Sequence, residues 1–398
     1  HSILQNDFVR PVSDSRNLWA MVFLSCVLGL VCGIPGKPFW GFGFLITTAV
    51  VWVIYATSQF MSEGIMWDVV RPMVSLAMTQ LSVFSFTFLV MDRDKRFLRD
   101  TFGTYISPEL IEQMVDDKEE PRLGGDEAFH TAFFTDVQDF STISEQLTAT
   151  DLVELLNVYL TDMTTILLDN KGTLDKYIGD AIVAFFGAPV PLEDHAFRAC
   201  KTALEIQERL EVLRGKWVSE GERWPEIVRS MQNRIGIHSG PMVTGNMGSE
   251  QRMNYTMMGD SVNLAARLES SCRYYGIYTQ ITEDTYSEVK DKVVVREMDR
   301  IIVKGKNEPV TTFELISLSG QQPEIMNELL PGFQEALGLY RKREWKKAGS
   351  LFSNLEEHEI MVPGRNTNPC RVYSERCDLY EQDPPSEDWD GVTALTSK

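Results

Sequence analysis

Asp136 ends the apolar run AFHTAFFTDV, and Asp180 follows Gly179 in DKYIGDAIVAFF. A carboxylate at a strand end lines a cleft, and one in a tight turn between two strands stays close to its neighbours. On adjacent strands the pair could bridge two hard cations such as Mg²⁺. Two metals about 4 Å apart can activate one oxygen and stabilise another in an in-line displacement at phosphorus. Taken singly, each aspartate also has an ordinary reading, as a strand-end residue or a turn former. Further residues narrow the choice. YTMMGDSVNLAARLES sets Asn263 and Arg267 four apart, on one face of a helix. Arg267 can offer a phosphate a fixed cationic fork, although the same pair also reads as a cap and a surface ion pair. VKGKNEP adds Lys304 and Lys306 beside Gly305.

Alternating strand and helix patterns must position these residues between 129 and 317. AFHTAFFTDV reads as a strand, LVELLNVYLTDMTTILLD as a helix, and TLDKYI and AIVAFFG as a hairpin around Gly179-Asp180. AFRACKTALEIQERLEVLRG follows as an amphipathic helix, then RIGIHSG and PMVTGNMG as a strand pair turning at Gly240-Pro241. SVNLAARLESSCRYYG is a helix, and IYTQIT, VVVREMDRIIV and TTFELIS are closing strands. This order predicts an α+β domain with helices on one face of a sheet. The tail, 318–398, begins with a helical hairpin over EIMNELLPGFQEALGLYRKREWKKAGSLFSNLEE and ends in the turn-rich EQDPPSEDWDG.

Upstream, residues 17–36, 38–62 and 72–91 carry no charged side chain, and each is long enough to cross a bilayer. Trp19, Trp40, Trp52, Tyr55 and Trp67 lie in or beside these runs, several near the ends where aromatic belts form. Three transmembrane helices are therefore expected over 18–91. Arg93, Lys95, Arg96 and Arg99 follow the third run, which places that end in the cytoplasm and the N-terminus outside. Residues 92–128 form a linker with a short amphipathic helix in FGTYISPELIEQMVDD. The chain begins at His1 without a signal-peptide pattern, so residues 1–17 read as the end of an extracytoplasmic portion. The formal net charge of −19 argues against nucleic acid as a partner. A metal can still bring a phosphorylated ligand to an acidic chain. Six cysteines without metal spacing read as free thiols.

FFTDVQDFSTISE, LDKYIGDAIVAFFGAP, RIGIHSGPMVTGNMG, YTMMGDSVNLAARLE and VKGKNEPVTTFEL resemble, in order and spacing, consecutive blocks of the class III nucleotidyl cyclases. The resemblance covers about half the chain. It implies a ferredoxin-like palm domain that works as a homodimer with C2 symmetry and active sites at the interface. It further implies that Asp136 and Asp180, helped by the Val137 carbonyl, bind two Mg²⁺ or Mn²⁺ ions per site. Lys176 would bond the purine with Thr256 assisting, Asn263 would orient the ribose, Arg267 would stabilise the α-phosphate, and Lys304 would hold the terminal phosphates. Adenine N1 is an acceptor that suits a Lys donor, whereas guanine N1–H and N2–H₂ call for a carboxylate. Lys176 therefore favours ATP and an adenylate cyclase over a guanylate cyclase. A catalytically silent membrane sensor is the reading from another class. Thr256 resembles the class IIIb subgroup, many of whose members respond to bicarbonate.

One position departs from the family: Asp139 stands where a glycine is usual, in a turn near the phosphates. LGGDEAFH resembles the signature of diguanylate cyclases but has Ala128 in place of its Phe, and reads as the connector into the domain. Three helices ahead of such a domain resemble bacterial inner-membrane cyclases with a CHASE-type sensor, and the tail resembles their C-terminal extension.

Overall fold

The uncharged N-terminal runs fold as helices, the state that satisfies backbone polar groups within the segment. They are α1 (Asp14–Cys32), α2 (Pro38–Glu63) and α3 (Val70–Phe86). The computed structural model describes residues 9–32, 38–86, 122–303 and 308–395, in two units, His1–Ile111 and Glu112–Lys398. In the first unit Gly64, at φ 62°, ends α2, and the Asp68 carboxylate caps α3 by accepting from the amides of Val70 and Arg71. Short strands β1 (Arg10–Pro11) and β2 (Ile65–Met66) pair in parallel. Arg71 ion-pairs with Asp68 and reaches Asp14 at the start of α1. So α1 and α3 run one way and α2 the other. The Ser25 and Ser75 hydroxyls meet at 2.7 Å between α1 and α3, a small polar contact of the kind that joins helices in lipid. Trp19, Phe23, Leu30, Ile46, Ile54 and Met61 face outward. Among the described residues two helical stretches, Asp14–Val31 and Gly41–Glu63, are long and apolar enough to cross a membrane. The end of the third expected crossing, residues 87–91, the linker helix and residues 1–8 lie outside the described residues.

The second unit begins with β3 (Gly124–Val137), α4 (Phe140–Gln146), α5 (Ala149–Asp169), β4 (Thr173–Ile178) and β5 (Ala181–Phe186). Next come α6 (His195–Ser219), α7 (Glu226–Arg229), β6 (Asn233–Ser249), β7 (Arg252–Met258) and α8 (Asp260–Tyr275). β8 (Thr279–Thr282), α9 (Glu283–Val289), β9 (Val293–Val303) and β10 (Val310–Leu318) complete the predicted domain. The tail adds α10 (Met326–Arg341), α11 (Trp345–Glu356), α12 (Pro369–Gln382) and β11 (Val392–Leu395). The sheet runs β11-β9-β10-β8-β6-β3-β5-β4, with β7 on the far half of β6. β6–β8 and β9–β11 are parallel and the other pairs antiparallel.

Four expectations need correction. Gly240-Pro241 is not a turn: β6 passes straight through it. β8 flanks β6 only to Ile237 and β7 begins at Val243, so Pro241 occupies the interval where its missing N–H costs no second ladder bond. Gly240 is there for room, since a Cβ would lie 2.7 Å from the Ser261 hydroxyl. Helices cover both faces, not one. Ile235 and Ile237 join the core under α5 and α6, while Gly236 between them backs onto α8. The connector ends earlier than 128, because Gly124–Phe129 already pair with β6. Finally, the tail is more than a hairpin and loop: Asn368 caps α12 with Pro369 in its first turn, and β11 joins the sheet beside β9.

The tail builds a second core in which Phe333, Phe352, Tyr340 and Tyr373 pack with Tyr275, Ile277 and Met298 of the predicted domain. Burying each large side chain is worth roughly 1.5–3 kcal/mol. The ring pairs meet edge-to-face or stacked, such as Phe333 with Tyr373 at 5.7 Å and Phe352 with Tyr373 at 5.1 Å.

Candidate active site

β3 delivers Asp136 at its last turn of pleat, and the β4–β5 hairpin delivers Asp180 beside it. Gly179, at φ 66°, makes that hairpin turn, which an L side chain would resist. The Val137 amide donates to Asp180 Oδ2 at 2.9 Å and fixes the carboxylate against β3. Asp180 is buried, and burial pushes its carboxyl up to about 6; the Val137 hydrogen bond opposes this and the like charge of Asp136 adds to it. Two acids in this relation are relieved by a cation.

A divalent ion fits that donor set. Among the described residues no three His, Cys, Asp or Glu side chains converge on one point. Two carboxylates, a backbone carbonyl and substrate oxygens match Mg²⁺, which is usually held by one or two carboxylates plus phosphates.

Lys176 on β4 and Thr256 on β7 come together as expected, with Lys176 Nζ donating to Thr256 Oγ1 at 3.3 Å. The sequence reading missed the residue that arranges them. The Thr256 hydroxyl donates to Asp175 Oδ2 at 2.6 Å, and Lys176 ion-pairs with Asp175 Oδ1 at 3.3 Å. Burial raises the Asp175 carboxyl above its usual range, with the Thr256 and Lys176 contacts opposing. A carboxylate directly before Lys176 was the available signal, but strand alternation sends neighbours to opposite faces and hides such a contact.

α8 carries Asn263, exposed, and Arg267, half-buried. Among the described residues no hydrogen bond or ion pair engages the Arg267 guanidinium, so the surface-pair alternative has no partner there. Lys304 and Lys306 lie outside the described residues, in the interval between β9 and β10. Asp139 adopts φ 55° and ψ 31° ahead of α4, the left-handed conformation that glycine takes without steric cost. Arg234, also missed, donates Nη2 to Asp136 Oδ2 at 2.8 Å from the adjacent strand. It is the lone charge in the apolar strand RIGIHSG.

The sequence model of the adenylate and guanylate cyclase catalytic domain matches residues 128–317. The terminal-differentiation-specific adenylate cyclase of Dictyostelium discoideum is 32% identical over 252 residues, covering 62% of this chain and 11% of that protein. Adenylate cyclase 1 of Rhizobium meliloti (strain 1021) is 33% identical over 221 residues, covering 55% of this chain and 32% of that protein. This chain thus spans about a third or less of those two relatives. Among solved structures, the adenylyl cyclase CyaB from P. aeruginosa is 34% identical, covers 50% of this chain and 100% of its own, and gives a TM-score of 0.45. With Asp136 beside Asp180, Lys176 beside Thr256, and Asn263 and Arg267 on α8 of this α+β frame, residues 128–317 belong to the adenylate and guanylate cyclase catalytic domain family.

Proposed function

We propose that the chain is a membrane-anchored adenylate cyclase that converts ATP to 3′,5′-cyclic AMP and pyrophosphate at sites shared between two copies. The observation that carries the choice of nucleotide is the Lys176–Thr256–Asp175 cluster. Thr256 spends its proton on Asp175, so its remaining lone pair can accept from the adenine N6 amine while Lys176 donates to N1. Guanine reverses both edges, with a carbonyl at C6 and a donor at N1, and would leave these groups unpaired.

Two divalent ions, when bound, supply the Lewis acidity that lowers the pKa of the ribose 3′-hydroxyl and offset the charge on the polyphosphate. Asp136, Asp180 and the Val137 carbonyl hold them. Asn263 orients the ribose so that its 3′-oxygen stands in line with the α-phosphorus. That oxygen gives up its proton to water and bonds to the α-phosphorus as the bond to pyrophosphate breaks. Arg267 meets the negative charge that grows on the α-phosphate oxygens. Lys304, with Lys306 beside it, grips the terminal phosphates.

Both half-sites are present in one chain, which supports a homodimer with two equivalent sites. The opposed directions of α1 and α3 against α2, and their outward apolar side chains, support three crossings, and the basic run Arg93, Lys95, Arg96 and Arg99 supports a cytoplasmic exit for the third. The test is the full chain in membranes, assayed with Mn²⁺ and either ATP or GTP. Cyclic AMP from ATP is expected. Cyclic GMP from GTP at an equal or greater rate would make the chain a guanylate cyclase, and no product from either would leave a silent sensor. Adding bicarbonate at fixed pH tests the regulation that Thr256 suggests. Asp136→Ala and Arg267→Ala chains should each be inactive and recover activity when mixed; a mixture that stays dead sinks the shared site.

A further inference from the structure

A buried cation joins the metal-site aspartate to the helix that carries Arg267. Arg234 lies opposite Asp136 in the β6–β3 register and donates Nη2 to its Oδ2 at 2.8 Å. Its Nε lies 3.0 Å from Glu269 Oε1 on α8, close enough for an ion pair but without hydrogen-bond alignment. The Arg234 and Glu269 side chains are only 11% and 10% exposed, so water cannot readily replace either partner. One guanidinium therefore serves two acids. Burial pushes the Glu269 carboxyl up to about 7, with Arg234 opposing and Asp136 adding to the rise.

The packing beneath this bridge is rigid. Gly236, two residues along β6 from Arg234 and on the same face, touches α8 backbone to backbone. A Cβ there would lie 2.3 Å from the Ala265 carbonyl and the Glu269 amide. A change in the pull on Glu269 thus moves the helix, since no side chain lies between to absorb it. Arg267, two residues before Glu269, projects about 200° around the same helix, so turning one turns the other.

We propose that Arg234 is a positioning residue shared between Asp136 and Glu269, through which cation binding at Asp136 is felt by α8 and so by Arg267. The inference rests on the shared-site reading above. Asp136 of one copy then works with Arg267 of the other, and the bridge within each chain connects the two sites of one dimer. A cation competes with Arg234 for the Asp136 carboxylate and leaves the guanidinium more fully to Glu269. By reciprocity, removing the Glu269 charge leaves Arg234 wholly to Asp136 and weakens cation binding there.

The test uses full-length chains with two different tags, one bearing Asp136→Ala and the other Arg267→Ala, purified as the mixed dimer. Its single intact site takes Asp136 from the second chain and Arg267 from the first. Glu269→Gln is then placed on one chain or the other. Mn²⁺ binding is read by electron paramagnetic resonance with a non-cyclisable ATP analogue, and turnover is read at saturating Mn²⁺. On the chain holding the intact Asp136, the substitution should weaken Mn²⁺ binding about fivefold, the low end of typical coupling between sites. On the chain holding the intact Arg267, it should leave Mn²⁺ binding unchanged and lower turnover by a similar factor. Equal shifts in both placements, as a general loosening would give, or no shift in either, overturn the proposal. Arg234→Gln, which frees Asp136 of its competitor and leaves Glu269 without its cation, should instead tighten Mn²⁺ binding on the chain holding the intact Asp136 and lower turnover on the chain holding the intact Arg267, and serves if the Glu269 variant does not fold. An inactive parent dimer would instead overturn the shared-site reading, and this coupling with it.

Discussion

At the residue scale, Asp139 stands apart because its backbone and its side chain both work against it. Its φ of 55° disfavours any L side chain, and its carboxylate makes no cap bond to α4. Asp139→Gly should raise stability by about 0.5 kcal/mol after allowing for the greater freedom of glycine in the unfolded chain, seen as a Tm rise of about 1–2 °C. It should also lower the KM for ATP, because it removes a negative charge near the expected phosphates. An unchanged KM would mean the carboxylate points away from substrate. The sequence singled out Asp136, Asp180, Lys176 and Thr256, and the fold brings the first two together at adjacent strand ends and the last two into a hydrogen bond. The supporting residues Asp175, Arg234 and Glu269 were not legible there, because their importance is a matter of which strand lies beside which, and register is a tertiary fact.

At the element scale, α8 and β6 meet backbone to backbone at Gly236. Gly236→Ala would drive a methyl group into backbone atoms of α8, which cannot swing aside. A loss of about 3 kcal/mol in chemical denaturation is expected, at the upper end for overpacking, together with a fall in turnover as Asn263 and Arg267 shift. A normal denaturation midpoint would show that the helix can yield. The β9–β10 pair is tied to the tail by Arg296, which donates to Glu314 at 2.8 Å and to Glu359 at 2.6 Å. Burial alone would raise the Glu359 carboxyl, but Arg296 and Arg365 outweigh it and hold the carboxyl below its ordinary 4.5. A depressed carboxyl stabilises the fold fully above its unfolded pKa and loses that contribution as pH falls through the folded one. The extra stability of the natural chain over Glu359→Gln should therefore be constant above pH 4.5 and shrink below it, as followed by Tm. A difference that does not depend on pH would rule out ionic anchoring. The hydrophobic periods of α5, α6, α8, β9 and β10 were readable in the sequence with little error. Gly240-Pro241 misled because the dipeptide marks a turn in most settings. Here each residue answers a different local demand, space for Ser261 and a stretch of strand with an open flank.

At the scale of the whole molecule, the tail and the catalytic domain are one folding unit. Tyr275, Ile277 and Met298 are covered by tail side chains, and the Tyr373 hydroxyl bonds the Met298 carbonyl. Gly276, at φ 64°, ends α8 against the Thr367 carbonyl, only 2.2 Å from where a Cβ would stand. A fragment of residues 122–318 should aggregate on expression, while 122–398 should be soluble and melt in a single transition. A soluble, cooperatively melting short fragment would contradict this. The sequence marked the tail as helical but could not show that it completes the core, since its aromatic residues find partners only after both segments fold. β11 has a further consequence. It adds four residues to the outside of β9, over Arg300–Val303, just where the chain leaves for the lysine-bearing interval. Without it, the eleven-residue β9 would present a long row of unpaired amides and carbonyls, a template on which another copy could grow. With it, four of those eleven residues are paired and the open run is cut by about a third. Ordered association is thereby steered away from this end of the sheet, so that two copies can meet as a closed pair without seeding an open-ended fibre.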